Sequence, residues 1–61
     1  MNFEPGTSVI LLKGCNLYNE IGTEICTVVR VLLQGIDYNP LVDISVENKI
    51  YTVRSCYLKK V

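Results

Sequence analysis

The chain is 61 residues long, enough for one small domain, and 49% of those residues are hydrophobic. A domain of this size buries only about 60% of the surface its unfolded chain exposes. Its core must therefore be dense in large apolar side chains, and the abundance of Val, Ile and Leu supplies them. Six Lys and Arg balance six Asp and Glu. That balance argues against non-specific nucleic-acid binding as the main activity, since such binding depends on cations that neutralise phosphates.

β-Branched and aromatic residues favour strands, and the best helix former, Ala, is absent. Residues 1–8 read as a loop with a turn at Glu4-Pro5-Gly6-Thr7, where Pro presets φ and Gly supplies a permissive position. Residues 9–13 form the first predicted strand, and their four consecutive apolar residues imply that both faces are at least partly covered. Residues 15–23 read as a structured loop anchored by Leu17, Tyr18 and Ile21.

Residues 24–34 are the longest predicted strand. Ile25, Thr27, Val29, Val31 and Leu33 share one face, assigned to the core. Cys26, Val28, Arg30, Leu32 and Gln34 share the other. A helical stripe through Ile25, Val28, Val29 and Leu32 is the competing reading, and the Val, Thr and Ile content favours the strand. After a loop over residues 35–40, residues 41–46 alternate with Val42, Ile44 and Val46 inward and Asp43 and Ser45 outward. Asn48-Lys49 is the expected hairpin turn, followed by a strand over residues 50–53 with Tyr51 and Val53 inward. Residues 54–57 suit a single 3₁₀ turn, and residues 58–61 a last strand with Lys59 and Lys60 in water.

Five strands, a long first loop, a tight late hairpin and a one-turn break before the last strand resemble a small SH3-like barrel, so the expected fold is all-β, one domain spanning residues 1–61. Within that superfold, Pro5-Gly6-Thr7-Ser8-Val9, then Gly14, then Gly22 followed by Val28 and Val29, is similar to a KOW-type motif over residues 5–34. That family implies contact with RNA or with transcription and translation machinery, although Lys13 and Arg30 are the only cations in the matching region. The signalling SH3 family binds proline-rich peptides on a groove of Tyr, Trp and Pro. This chain has no Trp and no Ala-Leu-Tyr-Asp-Tyr signature, so that specificity is not carried over. In length and apolar content the chain also resembles small accessory proteins of phages and mobile elements, which implies a regulator of a host or cellular protein.

Catalytic chemistry has little to work with. His is absent, and no P-loop, dinucleotide or EF-hand pattern occurs. The cysteines, Cys15, Cys26 and Cys56, are odd in number and include no Cys-x-x-Cys, which speaks against a paired framework and against zinc. They read as small apolar residues of a reducing cytoplasm, with Cys15 the one expected to be accessible. No cofactor or metal is expected. The longest apolar runs, over residues 9–12 and 31–33, fall far short of the ~20 residues of a membrane helix, so a soluble, cytoplasmic protein without membrane contact is expected.

A protein partner, or a second copy in a homodimer, is the leading expectation. Its candidate contacts are Tyr18 and Tyr38 in the two long loops, and Val28 and Leu32 (beside Cys26) on the outer face of the long strand, unless loops cover that face. Arg54, Lys59 and Lys60 form an alternative patch for nucleic acid or an acidic partner. A self-associating structural subunit is the third reading.

Overall fold

The computed structural model describes residues 3–32 and 39–61. They form one five-stranded antiparallel sheet: β1 (Ser8–Leu11), β2 (Cys26–Leu32), β3 (Leu41–Val46), β4 (Lys49–Arg54) and β5 (Leu58–Lys60), in the spatial order β4-β3-β2-β1-β5. A four-residue helix, α1 (Tyr18–Ile21), lies between β1 and β2, and a 3₁₀ turn (Ser55–Tyr57) joins β4 to β5. The fold is therefore all-β. Among the described residues no bridge joins β4 to β5, so the sheet stays open where a closed barrel was expected.

The N-terminal turn forms as the sequence indicates. Thr7 N–H donates to Glu4 O at 3.0 Å, and Gly6 takes φ +92°, the left-handed value that follows a Pro in a type II turn. Gly6 N–H then donates to Val28 O and Val28 N–H to Thr7 O, which fastens the turn across β2. That fastening brings Phe3 into the core, 7% exposed. The expected loop over residues 15–23 contains α1, which ends at Gly22 with φ +68° while Gly22 N–H donates to Tyr18 O. Ile21 is buried, and Leu17 and Tyr18 pack against the core as anchors.

β2 departs most from expectation. Cys26 and Val28 are buried (0% and 1% exposed), whereas Ile25 is 60% exposed and Thr27 and Val29 also face solvent. The face assigned to the core is the outer one over this half of the strand. The cause is a β-bulge: Val28 pairs with Ile44 and Arg30 with Asp43, so two steps on β2 match one on β3 and the parity of β2 reverses. Beyond the bulge Val31 pairs with fully buried Val42 and packs on the core, as expected for that residue alone. Leu33 and Gln34 lie outside the described residues.

The β3–β4 hairpin turns one residue earlier than expected. Glu47 and Asn48 both take positive φ, +51° and +65°, and Val46 pairs with Lys49, which is the geometry of a two-residue type I′ turn. Val42, Ile44 and Val53 are buried and Tyr51 packs against them. The core is completed by Val9 and Leu11 of β1 and Leu58 of β5. The cysteines reverse expectation: Cys15 and Cys26 are buried, and Cys56 is the exposed one. Burial pushes the Cys26 thiol above its ordinary value, and the nearby Glu24 charge adds to that.

No helix among the described residues is long and apolar enough to cross a membrane.

Candidate functional site

The strand register orders the outer face into cross-strand rows. In one, Arg30, Asp43 and Thr52 lie side by side on β2, β3 and β4. Arg30 Nε donates to Asp43 Oδ2 at 2.7 Å, and Thr52 Oγ1 donates to Asp43 Oδ1 at 2.6 Å. Asp43 faces outward as its place in the alternation requires, yet it is only 6% exposed because its two neighbours cover it. The Thr52 hydrogen bond, followed by the Arg30 contacts, holds its carboxyl below the ordinary aspartate value, against the opposing push of burial. The row braces β4 against β2 through β3.

The 3₁₀ turn is held from a distance. Asn39 Oδ1 accepts Cys56 N–H at 2.9 Å and Ser55 Oγ–H at 3.0 Å, while Asn39 O accepts Arg54 Nη1 at 3.0 Å. Ser55 N–H donates to Pro40 O at 2.9 Å. Asn39-Pro40, which from sequence reads as the end of a loop, is thus a clamp on the segment between β4 and β5. Leu12 N–H donates to Tyr57 O at 2.8 Å, which ties the chain after β1 to the same turn.

Between these supports runs a groove of about 530 Å³. One wall is β4, from which five consecutive residues, 50 to 54, contribute. The loop of residues 14–17 and Tyr57 line it as well. The closeness of loop and turn shows at Gly14, where an added Cβ would lie 3.5 Å from the Tyr57 ring. Leu17, Tyr51 and Val53 make the floor apolar, because each also packs in or against the core. Ile50 (64% exposed) and Tyr57 (36% exposed) present apolar surface at the rim. Among the described residues no carboxylate lines the groove.

The residues singled out from sequence are placed differently. Val28, expected on an exposed outer wall with Cys26, is a core residue, so that apolar patch does not exist; the bulge in β2 is the reason. Leu32 is half-buried and pairs with Leu41, which reaches the groove. Tyr18 is half-buried against the core at the start of α1. Tyr38 lies outside the described residues. Arg54 belongs to β4, whereas Lys59 and Lys60 belong to β5 on the other edge of the sheet and, as neighbours in a strand, point to opposite faces. The Lys60 ammonium sits 5.8 Å from the centroid of the Phe3 ring. The three cations do not share a face.

Leu17, Tyr57 and the exposed side of β4 are what the sequence reading missed. From sequence Leu17 reads only as a loop anchor, Tyr57 only as part of the 3₁₀ turn, and residues 50–53 only as a strand. Among the described residues no cluster of His, Cys, Asp or Glu is arranged to hold a metal. No protein-family model, curated protein or solved structure matches the chain.

Proposed function

We propose that this chain is a small SH3-like barrel left open between β4 and β5 and that it serves as a protein-binding module, with the groove lined by β4 and the loop of residues 14–17 as its recognition surface. The observation that carries this reading is the groove itself: about 530 Å³, inside the ~300–1,000 Å³ range of ligand sites, with an apolar floor and two tyrosines, Tyr51 and Tyr57. Tyrosine offers a broad apolar face with a polar tip, which suits a surface that is wet when free and covered when bound. The barrel reading is supported by the order hairpin, 3₁₀ turn, short last strand, and by the return of β5 beside β1. The function is binding without catalysis, in keeping with a regulator of a host or cellular protein.

A KOW-like contact with RNA draws less support, since Arg54, Lys59 and Lys60 are divided between two edges. The test is selection of random displayed peptides on the protein and on Tyr57→Asp. Tyr57 is partly exposed, so the change leaves the core intact. Enrichment on the wild type that disappears on Tyr57→Asp supports the reading. No enrichment, together with salt-sensitive RNA binding lost on reversing Arg54, Lys59 and Lys60, would replace it with the nucleic-acid one.

A further inference from the structure

We propose that the groove takes its partner as an added strand: an extended peptide segment pairs main chain to main chain with the outer edge of β4. This rests on the reading of the groove as the recognition surface and specifies how the partner is held there.

The argument starts from register. In a two-residue type I′ hairpin the residues flanking the turn exchange hydrogen bonds, so Val46 and Lys49 are a bonded pair. Antiparallel ladders alternate bonded and non-bonded pairs. Ile44 with Tyr51 and Val42 with Val53 are then bonded pairs, while Ser45 with Ile50 and Asp43 with Thr52 are not. The main-chain N–H and C=O of Ile50 and Thr52 therefore point away from β3. β4 ends the strand order, and among the described residues no strand pairs with that side of it. Both residues line the groove. Two donors and two acceptors, set about 6.8 Å apart by the ~3.4 Å rise per residue, match two residues of an antiparallel partner spaced two positions apart.

The rest of the lining bears on what enters. The loop of residues 14–17 and Tyr57 share the groove with β4, so a second copy would bring the same loop and ring beside its own β4, crowding the joint. A bare extended segment brings neither. Its side chains alternate between the floor, where Leu17, Tyr51 and Val53 favour apolar groups, and the outer face beside Ile50 and Thr52, which tolerates polar ones. The partner chemistry is thus an extended segment with apolar residues at every second position and no proline where it must donate an N–H.

The experiment uses synthetic peptides of the sequences recovered by display selection on the full chain, each in three forms: unmodified, N-methylated at one parity of amides, and N-methylated at the other. The expected result is alternating apolar sequences, shifts in the Ile50 and Thr52 amide signals with slowed hydrogen exchange on binding, and a loss of affinity of tenfold or more for one methylated parity only. Ile50→Pro removes one outward donor at an edge position that tolerates Pro, and it weakens binding in parallel. Binding that disappears on Tyr57→Asp but is indifferent to N-methylation of either parity overturns strand addition and leaves the groove as the site. Recovery of proline-rich sequences, or concentration-dependent shifts of the same two amides without peptide, also overturns it. No recovered peptide at all removes the groove reading and this proposal together.

Discussion

β4 and β5 are the two ends of one sheet, and they are guarded against stray pairing in different ways. β5 has three residues, two of them exposed lysines, and its inward residue Leu58 is buried against Leu11. It is short and charged, which are standard means of blunting an edge. β4 has six residues and exposes Ile50 next to its first, with only Lys49 and Arg54 as charges at its ends. In our proposal its guard is the loop of residues 14–17 with Tyr57, which lines the groove beside it. Edge lysines disfavour pairing with a neutral or basic strand because their charges would be desolvated or opposed, whereas a flanking loop would exclude by bulk. An edge guarded in that way could still accept one extended chain, and that difference is what favours β4 over β5 for the proposed recognition.

The largest effect is expected where β5 is rooted. Leu58 is 5% exposed and opposes Leu11, 2% exposed. Leu58→Ala should cost about 2–5 kcal/mol, comparable with the ~3–9 kcal/mol of total stability that per-residue averages assign to a chain of this length. Chemical denaturation reads this directly. A midpoint close to the wild type would mean that β5 contributes little to the core.

The link between the edges comes next. Asn39→Ala removes the acceptor of both Cys56 N–H and Ser55 Oγ–H, and Ser55 is 1% exposed, so its hydroxyl loses a partner inside the protein. A loss of about 1–3 kcal/mol is expected. Asn39→Asp keeps the acceptor oxygen and should cost less. Equal losses for the two variants would show that the amide's other contacts, and not Oδ1, hold the turn.

Acid titration tests the brace behind β4. The folded-state pKa of Asp43 is lowered, by the Thr52 hydrogen bond first and by Arg30 next. Its contribution to stability is therefore complete above the ordinary aspartate pKa and is lost as pH falls through the lowered value. Asp43→Asn should lower the urea midpoint at neutral pH and flatten its fall in acid; parallel curves would contradict the brace. Glu24 carries the opposite sign and a smaller effect. Its folded-state pKa is raised, by a hydrogen bond with Glu47, then by the Glu47 charge and slightly by burial. That contribution is present below the ordinary glutamate pKa and lost as pH rises through the raised value. Glu24→Gln should stabilise at neutral pH and converge with the wild type in acid, which thermal melts at two pH values would show.

How much of this was legible in the sequence follows from what each signal depends on. The β3–β4 hairpin, the 3₁₀ turn and the short β5 were readable because their cues are local: alternation, an Asn able to take positive φ, and too few residues for a helix. Even there the turn slipped by one residue, because Glu47 accepts φ +51° beside Asn48. β2 is misread from sequence because both of its faces carry apolar residues, Cys26, Val28 and Leu32 on one and Ile25, Val29 and Val31 on the other, and the bulge between Val28 and Arg30 reverses parity midway. Asp43 looked like an ordinary solvent-facing acid, since its cover comes from Arg30 and Thr52, thirteen and nine residues away. The groove was illegible for the same reason at larger scale: its walls come from residues 14–17, β4 and Tyr57, segments that only the sheet order brings together.

The smallest effect on stability, and the sharpest test of the two kinds of guard, comes from exchanging the edge residues. Ile50 and Lys59 are both exposed, so Ile50→Lys and Lys59→Ile should each change stability by no more than about 0.5 kcal/mol. Their consequences for association should differ. If the loop wall guards β4, replacing Ile50 with lysine leaves the monomer unchanged, because that edge was never open to a second copy, and only peptide binding weakens. β5 has no such wall among its described contacts, so removing Lys59 takes away the charge that protects it, and association should rise with concentration. Light scattering across a concentration series separates the cases. Association in the wild type that Ile50→Lys abolishes would show that the wall does not exclude a second copy, and would move β4 from a peptide-binding edge to a dimer interface.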